Sequence, residues 1–250
     1  MEFGVVKKSL EYCFANKKFF AFLLFLLFIL EYVLAFLDHV GYVGSAIVLL
    51  FLTGYGLVII KDVINGGTRL PKIEPLKILN FGIKGAVVRF VYVMVQIFLL
   101  GIIAGFLDFP EFDVEEILLE LPSSLSIFVN HDVISCIIFI VSGFIIVYLT
   151  TFFMELTLAR IADNGDLKSV FKLREIWHII DVIGWRKYTI AYSKIILAIV
   201  FFTFISRLFN FVQPLDIIVN VICDLLIFVI EFMGMAEIYK VYINNKSKMD

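Results

Sequence analysis

The chain has 250 residues, of which 62% are hydrophobic and 18% charged, with 28 Phe, a mean hydropathy of +1.01 and a formal net charge of -2. Soluble domains average roughly 45–50% apolar and roughly 25% charged residues, so a water-soluble core is excluded as a place for this much apolar surface. Cys13, Cys136 and Cys223 lie far apart with no ligand spacing, which excludes a disulfide framework or a cysteine zinc site and leaves them as apolar filler.

A membrane-spanning helix needs about 20 mostly apolar residues, because the hydrocarbon is about 30 Å thick and each residue rises 1.5 Å. The pattern predicts an all-α polytopic bundle of six spans plus interfacial amphipathic helices. Residues 1–18 form a basic leader in which Phe3, Val6, Leu10 and Cys13 recur beside Lys7 and Glu11, a weak amphipathic helix. The first span, residues 19–37, carries Glu31 and is longer than the apolar region of a cleaved signal, so it is expected to be retained. The second, residues 40–60, follows the Asp38-His39 turn without Asp, Glu, Lys or Arg and closes a hairpin.

Asn65-Gly66-Gly67 and Leu70-Pro71 with Pro75 then mark a turn, and a short helix over residues 76–85 is expected after it. The third and fourth spans, residues 90–107 and 133–154, are uncharged and flank an acidic connection. Within that connection Asp113 and Glu116 form a capping-box pattern ahead of an apolar stripe, which predicts a short surface helix ending before Pro122. Val170, Leu173, Trp177 and Ile180 recur at helical spacing opposite Lys168, Lys172 and Glu175. Residues 160–187 are therefore expected to lie on the membrane surface, apolar side in lipid and basic side toward anionic headgroups. The fifth span, residues 188–209, contains Lys194 and ends near Arg207; the sixth, residues 216–239, contains Asp224, Glu231 and Glu237 before a tail over residues 240–250.

Short loops rich in Lys and Arg stay cytoplasmic. Four basic residues fall in the leader, six in residues 61–89, six in residues 160–187 and three in the tail, all on one side of a six-span arrangement. Connections 38–41 and 108–132 contain none. Both termini are therefore expected in the cytoplasm of a cell-membrane protein. Lys61 with Asn65-Gly66 and Arg160 with Asn164-Gly165 stand at one offset, each after a span and before a basic segment. A parallel duplication and a coincidence between common helix stops both account for this.

The order Gly54-Tyr55, Lys61, Asn65-Gly66-Gly67, Leu70-Pro71 and Gly82-Ile83-Lys84, leading into an apolar span with Tyr92, resembles an archaeal membrane family known as domain of unknown function 4013. The likeness is clearest from Gly54 to about Tyr92. It implies a membrane location and a multi-span topology, and it carries over no activity and no catalytic residue.

The charges inside the spans are the most informative residues for function, because a central Asp or Lys costs about +2.5 to +3.5 kcal/mol on insertion. Asn220, Asp224 and Glu231 fall within about 40° on a wheel of about 100° per residue, one polar stripe able to face the bundle interior. Lys194 and Glu231 are expected at similar depth as an ion pair, while Glu31 and Asp224 form a candidate proton or cation site. Neutral or paired acids that merely hold the bundle together explain the same residues. At the outer face Asp38, His39, His131 and Asp132 are metal-ligating types, although ordinary helix-end residues at a wet interface are the plainer reading. No phosphate loop, His-Glu-x-x-His, Cys-x-x-Cys or Gly-x-Ser-x-Gly motif is present, so no cofactor and no catalytic residue is expected.

These features favour a non-enzymatic scaffold or permease-like component that meets anionic lipid headgroups and a soluble or membrane protein partner, and no nucleic acid. A proton- or cation-coupled transporter using the intramembrane acids is the alternative. A lipid-modifying enzyme would need clustered His, Asp, Ser or Cys at one depth, which the chain does not offer.

Overall fold

Long apolar runs leave a backbone no partner but itself in hydrocarbon, and helices satisfy every internal N–H and C=O. A computed structural model describes residues 4–36, 41–107, 133–168, 172–209 and 215–248, and every regular element among them is an α-helix. In chain order these are α1 (Gly4–Phe14), α2 (Lys17–Phe36), α3 (Gly41–Ile64), α4 (Pro75–Phe106), α5 (Val133–Asn164), α6 (Leu173–Ile183), α7 (Trp185–Leu208) and α8 (Leu215–Lys246). Five of them, α3, α4, α5, α7 and α8, are long and apolar enough to cross a membrane. The count becomes six if α1 and α2, bent by 94° at a short break, are taken as one broken span.

Two sequence expectations change here. The short helix over residues 76–85 and the span over 90–107 are one continuous 32-residue helix, α4. Gly82 and Gly85 do not interrupt it, because they are used for close packing: a Cβ at Gly54 of α3 would overlap the Ile78 carbonyl, one at Gly82 would overlap the Leu50 carbonyl, and Gly85 faces Thr53. Small residues of this kind let two membrane helices approach backbone to backbone. The second change concerns residues 160–187. They divide into the last turn of α5, a connection, α6 and the first turn of α7, with the break at Gly184, whose φ of 93° is left-handed.

The chain forms two compact units, residues 1–86 with 155–250 and residues 87–154. In the first, α8 touches α1, α2, α3, α6 and α7. Its core is apolar and aromatic, with Leu57, Ile60, Tyr188, Tyr192, Phe232 and Tyr239 fully buried. The Phe232 ring lies where a Cβ of Gly56 would otherwise be, which locks α8 onto α3. Helix α1 also belongs to this core: Ser9, Tyr12 and Cys13 are buried, so the leader packs on protein rather than riding freely on a membrane surface.

The second unit pairs the parts of α4 and α5 beyond residues 86 and before 155 in antiparallel fashion. Ala104 and Cys136 are buried together with Leu107 and Phe139 beside them, and the Gln96 amide donates to the Thr150 hydroxyl at 2.6 Å. Its outer surface is apolar: Phe98 is 68%, Phe106 84% and Phe144 74% exposed. Soluble monomers rarely expose contiguous apolar surface on this scale, whereas lipid-facing helices do so by construction.

Candidate functional site

The polar chemistry of the first unit collects at one end of its helices, the end that carries most of the basic residues. Three helices have 32 residues. At 1.5 Å per residue each is about 48 Å long, well beyond about 30 Å of hydrocarbon. The surplus turns at this end bear Lys77, Lys84, Arg160, Lys240 and Lys246.

Helices α3 and α5 stop there in the same way. Gly66 and Gly165 take φ values of 90° and 71°, the left-handed conformation that ends a helix and that glycine adopts at least cost. The Gly66 N–H donates to the Val63 carbonyl, the Gly67 N–H to the Asp62 carbonyl, and the Gly165 N–H to the Ile161 carbonyl. A tyrosine reads an aspartate at each stop. Tyr12 of α1 donates to Asp62 at 2.8 Å, and Tyr239 of α8 donates to Asp163 at 3.3 Å. Burial, with the Asp62 carboxylate beside it, pushes the Tyr12 phenol above its ordinary range, and burial pushes the Cys13 thiol up to about 12. Both groups therefore stay neutral at physiological pH.

A cleft of about 530 Å³ opens at the α5 stop, with Arg160, Asp163, Glu175, His178, Tyr239 and Lys246 among its walls. Arg160 is mostly buried and ion-paired with Glu175 of α6, while its other terminal nitrogen is buried without a hydrogen-bond partner. The α6 face that packs inward consists of Ile176, Ile179, Ile180 and Ile183, whereas Leu173 and Trp177 are exposed. Of the expected lipid-facing stripe, Ile180 is thus in the protein core. Apolar residues cover more of α6 than that stripe, and the protein takes the side with three isoleucines and a fourth one turn on.

A second cleft of about 460 Å³ opens at the α3 stop, where Lys61, Arg69, Lys72 and Lys77 face Asp62 and Glu74. Lys61 and Lys84 approach the Phe81 ring at 5.5 and 5.8 Å from its centroid, within cation–π range. Lys84 also donates to the Gly165 carbonyl at 2.9 Å, so α4 tethers the α5 stop. Lys8 pairs with Glu237 at 2.6 Å, tying α1 to α8. A third hollow, about 370 Å³ and apolar throughout, lies between α2, α3, α8 and the start of α4.

The intramembrane charges named from sequence separate as follows. The Ser206 hydroxyl and the Asn220 side chain are hydrogen-bonded, which sets the register of α7 against α8. Twelve residues back from Ser206 is Lys194 and eleven on from Asn220 is Glu231, so their Cα atoms stand within about 2 Å of the same level at 1.5 Å per residue. Both are half-buried. Asp224 does not face the interior: it is exposed, within electrostatic range of Arg207 at the end of α7. The side chain of Glu31 and the residues Asp38, His39, His131 and Asp132 lie outside those described, as does the capping-box helix of the acidic connection. Among the described residues no group of three His, Cys, Asp or Glu could hold a metal ion.

Sequence reading missed the two tyrosine–aspartate pairs and the Arg160–Glu175 pair. The available signal was the presence of Asp62 and Asp163 inside segments otherwise rich in cations, three residues before and one residue before the two Asn-Gly stops.

A family model described as Protein of unknown function (DUF4013) matches residues 39–211. No curated protein and no solved structure matches the chain.

Proposed function

The chain belongs to the DUF4013 family, and from that premise we propose that it is a non-enzymatic, multi-pass component of the cell membrane, in an archaeal cell as the resemblance implies. It crosses six times, with α1 and the end of α8 in the cytoplasm. Its basic inner face is a platform for anionic headgroups and for a soluble or membrane protein partner. The observation that carries this reading is the division of the first unit into an apolar helical core and one polar end, where both stops, the ion pairs and the two charged clefts gather. Positive segments beside the hydrocarbon are drawn to the anionic cytoplasmic leaflet.

The alternative is a proton- or cation-coupled transporter working through Glu31 and Asp224. The exposure of Asp224 and the nearby Arg207 offer charge compensation instead of an isolated interior acid. Lys194 and Glu231, level and half-buried, serve in either reading as a structural ion pair, which need not be net stabilising to fix helix register. Liposomes containing the purified protein test the choice. Under an imposed pH gradient or potential, proton and cation flux should equal that of empty liposomes. Flux above that level, removed by Asp224→Asn, gives the protein to the transporter reading.

A further inference from the structure

The basic cleft at the α3 stop and the apolar hollow are stacked along the same elements. On α2, Phe19 lines the cleft and Leu23, one turn on, lines the hollow. On α3, Val58 lines the cleft and Tyr55 the hollow, and in the following segment Lys72 and Ile73 divide in the same way. At the seam between them the Tyr55 hydroxyl donates to the Pro71 carbonyl at 3.0 Å, holding the connection after α3 against the helix. Along α3 the hollow reaches from Tyr55 to Ile47, about 12 Å at 1.5 Å per residue, close to the hydrocarbon depth of one leaflet.

We propose that this bipartite site holds one anionic phospholipid of the surrounding membrane, its phosphate among Lys61, Arg69 and Lys72 and one hydrocarbon chain in the hollow beside Leu26, Phe51 and Phe228. Charge complementarity selects the headgroup. Four cations face two carboxylates in the cleft, and one of those carboxylates, Asp62, is already engaged by Tyr12. Lys77 is shared with Glu74 at 3.7 Å, while Arg69 and Lys72 are exposed and make no ion pair among the described residues. Shape and polarity select the tail, since an apolar hollow at this depth has no use for water. A free phosphate would fill the cleft and leave the hollow unexplained. The inference rests on reading these helices as membrane spans, and it does not depend on whether the protein transports anything.

Native mass spectrometry of the full-length protein, released from detergent with added phosphatidylglycerol, phosphatidylcholine or inorganic phosphate, tests it. Wild type should retain phosphatidylglycerol in preference to phosphatidylcholine. Arg69→Gln with Lys72→Gln, both at exposed positions, should weaken phosphatidylglycerol retention roughly thirtyfold, given the contribution of each cation near an anionic headgroup, and leave phosphatidylcholine unchanged. Val48→Trp, which fills the hollow, should lower retention of both lipids. Lys7→Gln with Lys248→Gln removes the same charge elsewhere and should change nothing. The proposal is overturned if that control weakens retention as much as the Arg69 and Lys72 pair, if the two lipids are held equally, or if inorganic phosphate binds while no lipid is selected. Failure of the membrane reading itself would look different, because the protein would then leave the membrane fraction without detergent.

Discussion

Gly54 faces the backbone of α4 at a distance that admits no side chain, and the Ile78 carbonyl occupies the place of its Cβ. Adding even a methyl group must push two helices apart, and overpacking of this kind costs about 1–3 kcal/mol. Gly54→Ala should therefore lower the midpoint of unfolding in a dodecyl sulfate titration, whereas Gly101→Ala, with nothing within 4 Å, should leave it in place. Equal midpoints would show that α3 and α4 do not cross at these glycines. Gly54 and Gly82 were visible in the sequence as part of a family-like pattern, but their purpose was not, since close approach depends on which helix lies opposite. The same limit applies to Tyr12 and Tyr239. Each finds its aspartate about 50 or 76 residues away, a distance along the chain that no local periodicity encodes.

Helix α6 shows what an amphipathic pattern leaves undecided. Its existence follows from apolar residues at helical spacing, but the apolar arc is wide enough to serve either lipid or protein, and tertiary packing makes the choice. The buried side carries Ile176, Ile179, Ile180 and Ile183, and the exposed side Leu173 and Trp177. Ile180→Asn should disrupt the fold, because an amide without partners in a packed core costs on the order of 1–3 kcal/mol. Leu173→Asn with Trp177→Asn should fold normally and weaken contact with anionic vesicles. Thermal stability of purified variants and vesicle flotation separate the two effects, and the reverse pattern would mean that α6 presents its isoleucines to lipid. The helices themselves run past the expected apolar segments: α8 continues to Lys246 where the sixth span is expected over residues 216–239. The same holds for α4, whose first turns are polar enough to look like a separate helix while the backbone continues unbroken.

On the scale of the whole molecule, the asymmetry of Lys and Arg makes a definite statement about sidedness. Cysteine placed at residue 116 should react with an impermeant maleimide added outside intact cells, and cysteine at residue 248 should react only after the membrane is opened. Native background should be low, since Cys13, Cys136 and Cys223 are all buried. Labelling of residue 248 from outside would invert or break the proposed topology. The helical class could be read from composition and run length alone, and so could the run of apolar helices, of which five, or six with the bent α1–α2 pair, are long enough to cross a membrane among the described residues. The polar end could be located by its cations but not assembled, because its clefts are made by residues brought together from α2, α3, α4, α5, α6 and α8.

Helix α8 is the shared neighbour of α1, α2, α3, α6 and α7, and all five precede it in the chain. During synthesis each of them leaves the ribosome before the surface it is to pack against exists. Phe232 cannot fill the recess at Gly56, nor Tyr239 reach Asp163, until α8 has emerged. The contact of α3 with α4 at Gly54 and Gly82 does not involve α8, but the rest of the first unit must wait for it, so its completion is a late event triggered from its carboxyl-terminal side. A chain halted before residue 215 would keep the contact of α3 with α4 but lack the helix around which the first unit closes.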